Sequence, residues 1–145
     1  MNVLIDLAGV SMAATITRAL AVVPWIFRIP LSAFFVFVGY WKAFGPIEAL
    51  ADHHAWVAGL PDWFARAMGW SEILCAAGLL LPSKFDERRI VLFAAVILVV
   101  NQVIALAVHV ARGEGGVAAP QNIVLLLLLA IVIALELRKA RVAPR

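Results

Sequence analysis

Residues 69–82 read GWSEILCAAGLLLP. The stretch is apolar and of helix length, and Pro82 ends it, because a proline ring cannot continue a helix. Yet it keeps one carboxylate, Glu72. Where that carboxylate sits decides the fold. The whole chain of 145 residues is 65% hydrophobic and 14% charged, with a mean hydropathy of +1.01. Soluble domains are nearer half apolar and a quarter charged. The chain is therefore read as an integral membrane protein of one domain, and Glu72 as a carboxylate inside a transmembrane helix.

Working outward from this stretch, four spans are expected, at roughly 25–44, 61–81, 89–110 and 121–137. Each is near the ~20 residues a helix needs to cross the hydrocarbon core. Helices are required because an open sheet in lipid leaves backbone groups unpaired. The fold class is all-α: a membrane four-helix bundle at 25–137, preceded by an apolar segment at 1–24 and followed by a basic tail at 138–145. The first segment begins with Asp6 and no basic residue, unlike a secretory signal. It is expected to lie on the membrane as an amphipathic helix or to extend the first span.

Basic residues orient the bundle. Arg18, Arg28, Lys84, Arg88, Arg89, Arg138, Lys139, Arg141 and Arg145 fall on one side, and Lys42, Arg66 and Arg112 on the other. The positive-inside rule then places both termini in the cytoplasm. The segment EALADHHAWVAGLPDW (48–63) is expected at the outer interface, with its tryptophans at headgroup depth, as a lid over the bundle. The basic residues sit in short clusters beside apolar runs and no nucleic-acid motif is present, so no nucleic-acid partner is expected. The lone Cys75 excludes an internal disulfide and paired-cysteine chemistry.

Helical rise gives a depth for each polar residue. Arg28 and Lys42 are separated by ~21 Å of helix, too little to cross the core. If Arg28 snorkels to the cytoplasmic surface, Lys42 lies at depth. The same measure, taken from Lys84 and Arg89, puts Glu72, Asn101 and Gln102 in the layer of Lys42, with His109 one or two turns further out. Gln102 and His109 are seven apart and share a helix face; Gln121 and Asn122 open the last span. A lone charge at this depth is costly, so Glu72 is expected to pair with Lys42, with span-three amides completing its hydrogen bonds. A protonated, neutral Glu72 is the alternative.

These residues have plainer readings too. The Lys42–Glu72 pair could be only a clasp between two helices. Asn101 and Gln102 could be interhelical glue, and Cys75 a small packing residue. The histidines His53, His54 and His109 lack metal-ligand spacing, so no metal is expected.

FVGYWKAFG with Gly39 and Lys42, MGWSEILCAAGLLLP with Gly69 and Glu72, and ALAVHVARGE with His109, in that order, resemble the DoxX-like family of small four-helix membrane proteins. The likeness covers about residues 25–137. It implies the bundle fold, with Lys42, Glu72 and His109 at recurring polar positions. The family takes its name from a subunit of a thiosulfate:quinone oxidoreductase; other members resemble partners of membrane redox complexes, and animal relatives act as receptor chaperones. The expected function is an accessory subunit of a redox system in the bacterial plasma membrane, with a membrane or periplasmic redox protein as partner. No cofactor motif is evident; quinone, or another lipophilic molecule, is the ligand this resemblance suggests.

The expected pocket opens outward between spans one to three. Lys42 and Glu72 form its floor, with Gln102 and His109 on its wall, and Asn101 is a further ligand-binding candidate. Trp41, Phe44 and Trp70 pack against a ring or tail, and Gln121 and Asn122 approach from span four. Two alternatives stand beside this one. In an enzyme of acid–base type, for example an isomerase, Glu72 or His109 would move protons with Lys42 beside them. In an assembly chaperone, the 53–63 segment would contact a client helix.

Overall fold

The structure, a computed structural model, describes residues 2–52, 55–81 and 87–142. These residues form five helices and no strand: α1 (Asn2–Phe44), α2 (Ile47–Asp52), α3 (Asp62–Leu79), α4 (Glu87–Ala111) and α5 (Gly115–Val142). His53, His54, Pro82, Lys84 and Arg145, all singled out from sequence, lie outside the described residues.

Three helices contain stretches long and apolar enough to cross a membrane: Val22–Phe44 of α1, Arg88–Ala111 of α4 and Ala118–Lys139 of α5. The second span expected from sequence, at 61–81, is not among them. It corresponds to α3, whose 18 residues include Asp62, Arg66 and Glu72, and these charges interrupt its apolar run. Two of those charges are satisfied inside the protein. Arg66 donates to the carbonyls of Lys42 and Gly45, at 3.2 and 2.7 Å, just where α1 ends. Glu72 is fully buried.

Of the two readings of segment 1–24 the structure takes the second, an extension of the first span, and the start of the last helix differs from the sequence reading. The segment 1–24 does not form a separate helix: α1 is continuous from Asn2 through Pro24 and Pro30. Its 43 residues amount to ~65 Å of helix, about twice the hydrocarbon thickness. The last helix begins at Gly115, not after Pro120. Pro120 has no N–H for the Gly116 carbonyl four residues earlier. Gly116 is exposed, so that carbonyl can be solvated instead.

α1 packs on α3 and α5, and α4 packs on the same two helices. The main core is drawn from all four: Leu31 and Phe35, Cys75 and Leu79, Ala95 and Leu98, Leu129 and Val132. α1 and α3 make their closest approach through two glycines. A methyl group on Gly69 would lie 2.5 Å from the Ala43 nitrogen, and one on Gly39 would lie 2.8 Å from the Gly69 carbonyl oxygen. Only hydrogen fits at either position, and this contact sets the registry of the two helices.

The outward faces carry large apolar side chains. Phe93 is 69% exposed, Leu74 66% and Leu127 60%. Apolar exposure spread over α3, α4 and α5 suits lipid contact. A smaller cluster of Leu50, Trp56, Val57, Ala65 and Ala105 fastens α2 and the following turn onto α3 and α4. The segment made of α2 and residues 55–61 thereby covers one end of the helices. Arg112 also ties it down, donating to the Ala58 carbonyl at 2.6 Å.

Candidate functional site

The glycine contact explains the central ion pair. Lys42 follows Gly39 by three residues and Glu72 follows Gly69 by three, so close passage of the two backbones turns both side chains into one interface. Lys42 Nζ donates to Glu72 Oε1 at 2.5 Å, and Asn101 Nδ2 of α4 donates to the same oxygen at 2.9 Å. Both donors take Oε1; Glu72 Oε2 is buried and has no hydrogen-bond partner. Lys42 and Glu72 are 3% and 0% exposed. Removing two charges from water costs several kcal/mol each, on the order of what a well-made pair returns. The pair is therefore a device for position more than for net stability.

Lys42 also faces a cavity of about 570 Å³. Its walls follow helical periodicity. α1 supplies Phe34, Phe37, Val38, Trp41 and Lys42, which are spaced i, i+3, i+4, i+7 and i+8. α5 supplies Ala118, Gln121, Asn122 and Leu125, and α4 supplies Gln102 and His109 two turns apart. Ala49, Leu50, Ala55 and Trp56 line it from the 48–63 segment. The volume lies within the range of small-molecule sites, and the lining combines many apolar groups with few polar ones.

The placement differs from the sequence expectation in its bounding helices and in four residues, Glu72, Asn101, Phe44 and Trp70. The cavity is bounded by α1, α4 and α5, not by the first three spans, and α3 contributes nothing to its lining. Glu72 and Asn101 stand behind Lys42. Phe44 and Trp70 lie outside the cavity, ring against ring at 5.2 Å, with Tyr40 5.3 Å from Phe44. Phe44 and Trp70 are each about half exposed, on an outward aromatic face. Trp41, Gln102, His109, Gln121 and Asn122 all meet in the cavity lining.

Two cavity groups have unsatisfied polar atoms. Gln102 is 4% exposed, and its Oε1 has no partner; Trp56 is equally buried, and its Nε1 has none. Lys42 Nζ sits 5.5 Å from the centroid of the Trp56 ring. A buried, unpaired amide or indole costs about 1–3 kcal/mol, so such groups mark places where a ligand would be rewarded for polar contact.

Three participants were not foreseen. Trp56 was read only as an interfacial aromatic. Glu114, in the GEGG segment, bonds His109 Nδ1 through Oε2 at 2.8 Å; the spacing of five across a helix end was its signal. Glu136 lies at the other end of the helices. Arg28 does not snorkel to the surface as expected. It is fully buried, with NH1 3.6 Å from Glu136 Oε1. Its Nε donates to the Leu79 carbonyl, its NH2 to the Leu81 carbonyl at 3.0 Å, and its guanidinium lies 4.3 Å from the Trp25 ring centroid. Lys139 joins Glu136 at 2.9 Å. With a partner on α5 and two carbonyls at the end of α3, Arg28 gains more by staying inside. Among the described residues, no group of three His, Cys, Asp or Glu side chains could hold a metal ion.

Apolar helices of membrane-spanning length, lipid-suited outer faces and charges paired in the interior define a helical membrane protein. The chain belongs to the DoxX-like family, whose model matches residues 26–132, a span that takes in Lys42, Glu72, His109 and the cavity. No curated protein and no solved structure matches it.

Proposed function

We propose that this protein binds a lipophilic small molecule with a polar head, of the quinone–quinol class, in the cavity between α1, α4 and α5. It would do so as an accessory component of a redox system in a bacterial plasma membrane. The observation that carries this reading is the buried Gln102 Oε1, which has no hydrogen-bond partner, on a residue in the wall of a largely apolar cavity of about 570 Å³. Phe34, Phe37 and Trp41 supply faces for a ring or isoprenoid tail. Lys42 keeps donor hydrogens beyond the one given to Glu72. Gln102 and His109 complete a polar strip along α4. Glu72 and Asn101 act from behind by fixing the ammonium group.

In this reading α3 is the fourth span. Glu72 is held inside the protein and Arg66 is bonded to the end of α1, while Asp62 stands exposed at the helix start and Leu74 and Trp70 face lipid. Both termini are cytoplasmic, which follows from the nine basic residues assigned to that side.

The test is a titration of the protein in lipid nanodiscs with decylubiquinone and, in parallel, with decylubiquinol kept reduced under argon, read by tryptophan fluorescence, since Trp41 and Trp56 line the cavity. Saturable quenching by at least one of the two is expected, weakened at least tenfold by Gln102→Leu. Absence of saturable binding of both, or binding equally tight in Gln102→Leu and in a cavity-filling Ala118→Phe variant, would reject the reading.

A further inference from the structure

We infer that the cavity selects a ligand bearing a hydroxyl hydrogen, a phenol or quinol head, and that His109 Nε2, oriented by Glu114, is the group that accepts it. The inference rests on the cavity being a ligand site, and it adds the polarity of the head group. His109 is 5% exposed and lies in the cavity wall. Its Nδ1 is 2.8 Å from Glu114 Oε2. A carboxylate can only accept, so the hydrogen of that bond belongs to Nδ1. In a neutral imidazole this leaves Nε2 as a bare acceptor, the tautomer being set by the hydrogen bond at the other nitrogen. Glu114 is thus a positioning residue. It lies outside the cavity lining and acts through the ring it holds.

A second observation points the same way. Gln102, two turns back on the same face of α4, presents a buried amide whose oxygen has no donor. A ligand carbonyl or ether cannot satisfy either acceptor. A hydroxyl can donate to one of them, and a second polar atom on the same head can reach the Gln102 amide or the spare hydrogens of Lys42. A site built to hydrogen-bond a hydroxyl rejects the analogue lacking that hydrogen strongly, because its own buried polar groups are left unpaired.

The experiment compares two probes that differ in one hydrogen-bonding hydrogen, 4-hexylphenol and 4-hexylanisole, binding to the full chain in nanodiscs. The phenol is expected to bind at least tenfold more tightly. His109→Phe should remove that preference while the anisole affinity stays within about threefold. Glu114→Leu should shrink it to a few-fold, because either ring nitrogen can then carry the hydrogen, and Glu114→Gln should restore part of it. Equal binding of the two probes to the wild-type protein overturns the inference while leaving the cavity as a ligand site. A preference that survives in His109→Phe also overturns it. Failure of both probes to bind overturns the inference together with the ligand-site reading beneath it.

Discussion

At the scale of single residues, the interior of this protein is governed by charge balance. Lys42 and Glu72 neutralise each other where neither can reach water, and Asn101 supplies the third bond. Truncating one partner is far worse than removing both, because it strands the other charge. Glu72→Ala is expected to lower stability by about 3–5 kcal/mol, seen as a collapse of the melting transition in detergent or nanodiscs. A Lys42→Met, Glu72→Met double variant should melt much closer to the wild type. If the double variant is no better than the single, the pair is more than a clasp between neutralised charges. The pairing of Lys42 with Glu72 was legible from depth alone, since helical rise puts both residues in one layer. The pairing of Arg28 with Glu136 was not. An arginine near a span end reads as a snorkelling side chain, and nothing in the sequence marks Glu136, near the end of the last span, as its partner.

At the scale of elements, the approach of α1 to α3 depends on the absence of two side chains. Any Cβ at position 69 meets backbone atoms of Lys42, Ala43 and Gly39 within 3 Å, and backbone cannot swing aside as a side chain can. Gly69→Ala should therefore push the helices apart and loosen the Lys42–Glu72 contact. The expected outcome is a clear drop in melting temperature, larger than for Gly116→Ala, where nothing lies within 4 Å of the added methyl. Equal melting of the two variants would show that the helices do not cross where the structure puts them. A second element-scale contact joins three helices at the opposite end: Arg28 on α1, Glu136 on α5 and the carbonyls closing α3. In a double-mutant cycle, Arg28→Met and Glu136→Met should show a coupling of about 1–3 kcal/mol. Additive losses would mean that Arg28 is held by the carbonyls and Trp25 alone. Helix identities were readable from apolar runs and prolines, but two boundaries were not. Pro120 reads as a helix start, yet the exposed Gly116 lets α5 begin five residues earlier. Nothing in residues 1–24 marks where a surface helix would stop, and α1 runs through them.

At the scale of the whole molecule, the asymmetry of basic residues makes a direct prediction. A green fluorescent protein fused to the C-terminus should fluoresce in cells, and an alkaline phosphatase fusion at the same point should be inactive. The reverse pattern would invert the bundle and place the lid segment and the His109 end of the cavity on the cytoplasmic side. Composition, hydropathy and the common layer of Lys42, Glu72 and Asn101 were determined by the sequence by itself. Each depends only on residue identity and on the fixed rise of a helix, so an all-helical membrane chain with a polar layer could be read directly. Which helices enclose the cavity was decided only in the tertiary structure. Phe44 and Trp70 are near Lys42 and Glu72 in sequence, yet they lie outside the cavity, while Phe34 and Asn122 line it. Helix rotation is set by packing against neighbours, here by the Gly39–Gly69 contact and the Arg28–Glu136 pair. In a span apolar on every side, no sequence stripe records which face the neighbours will cover.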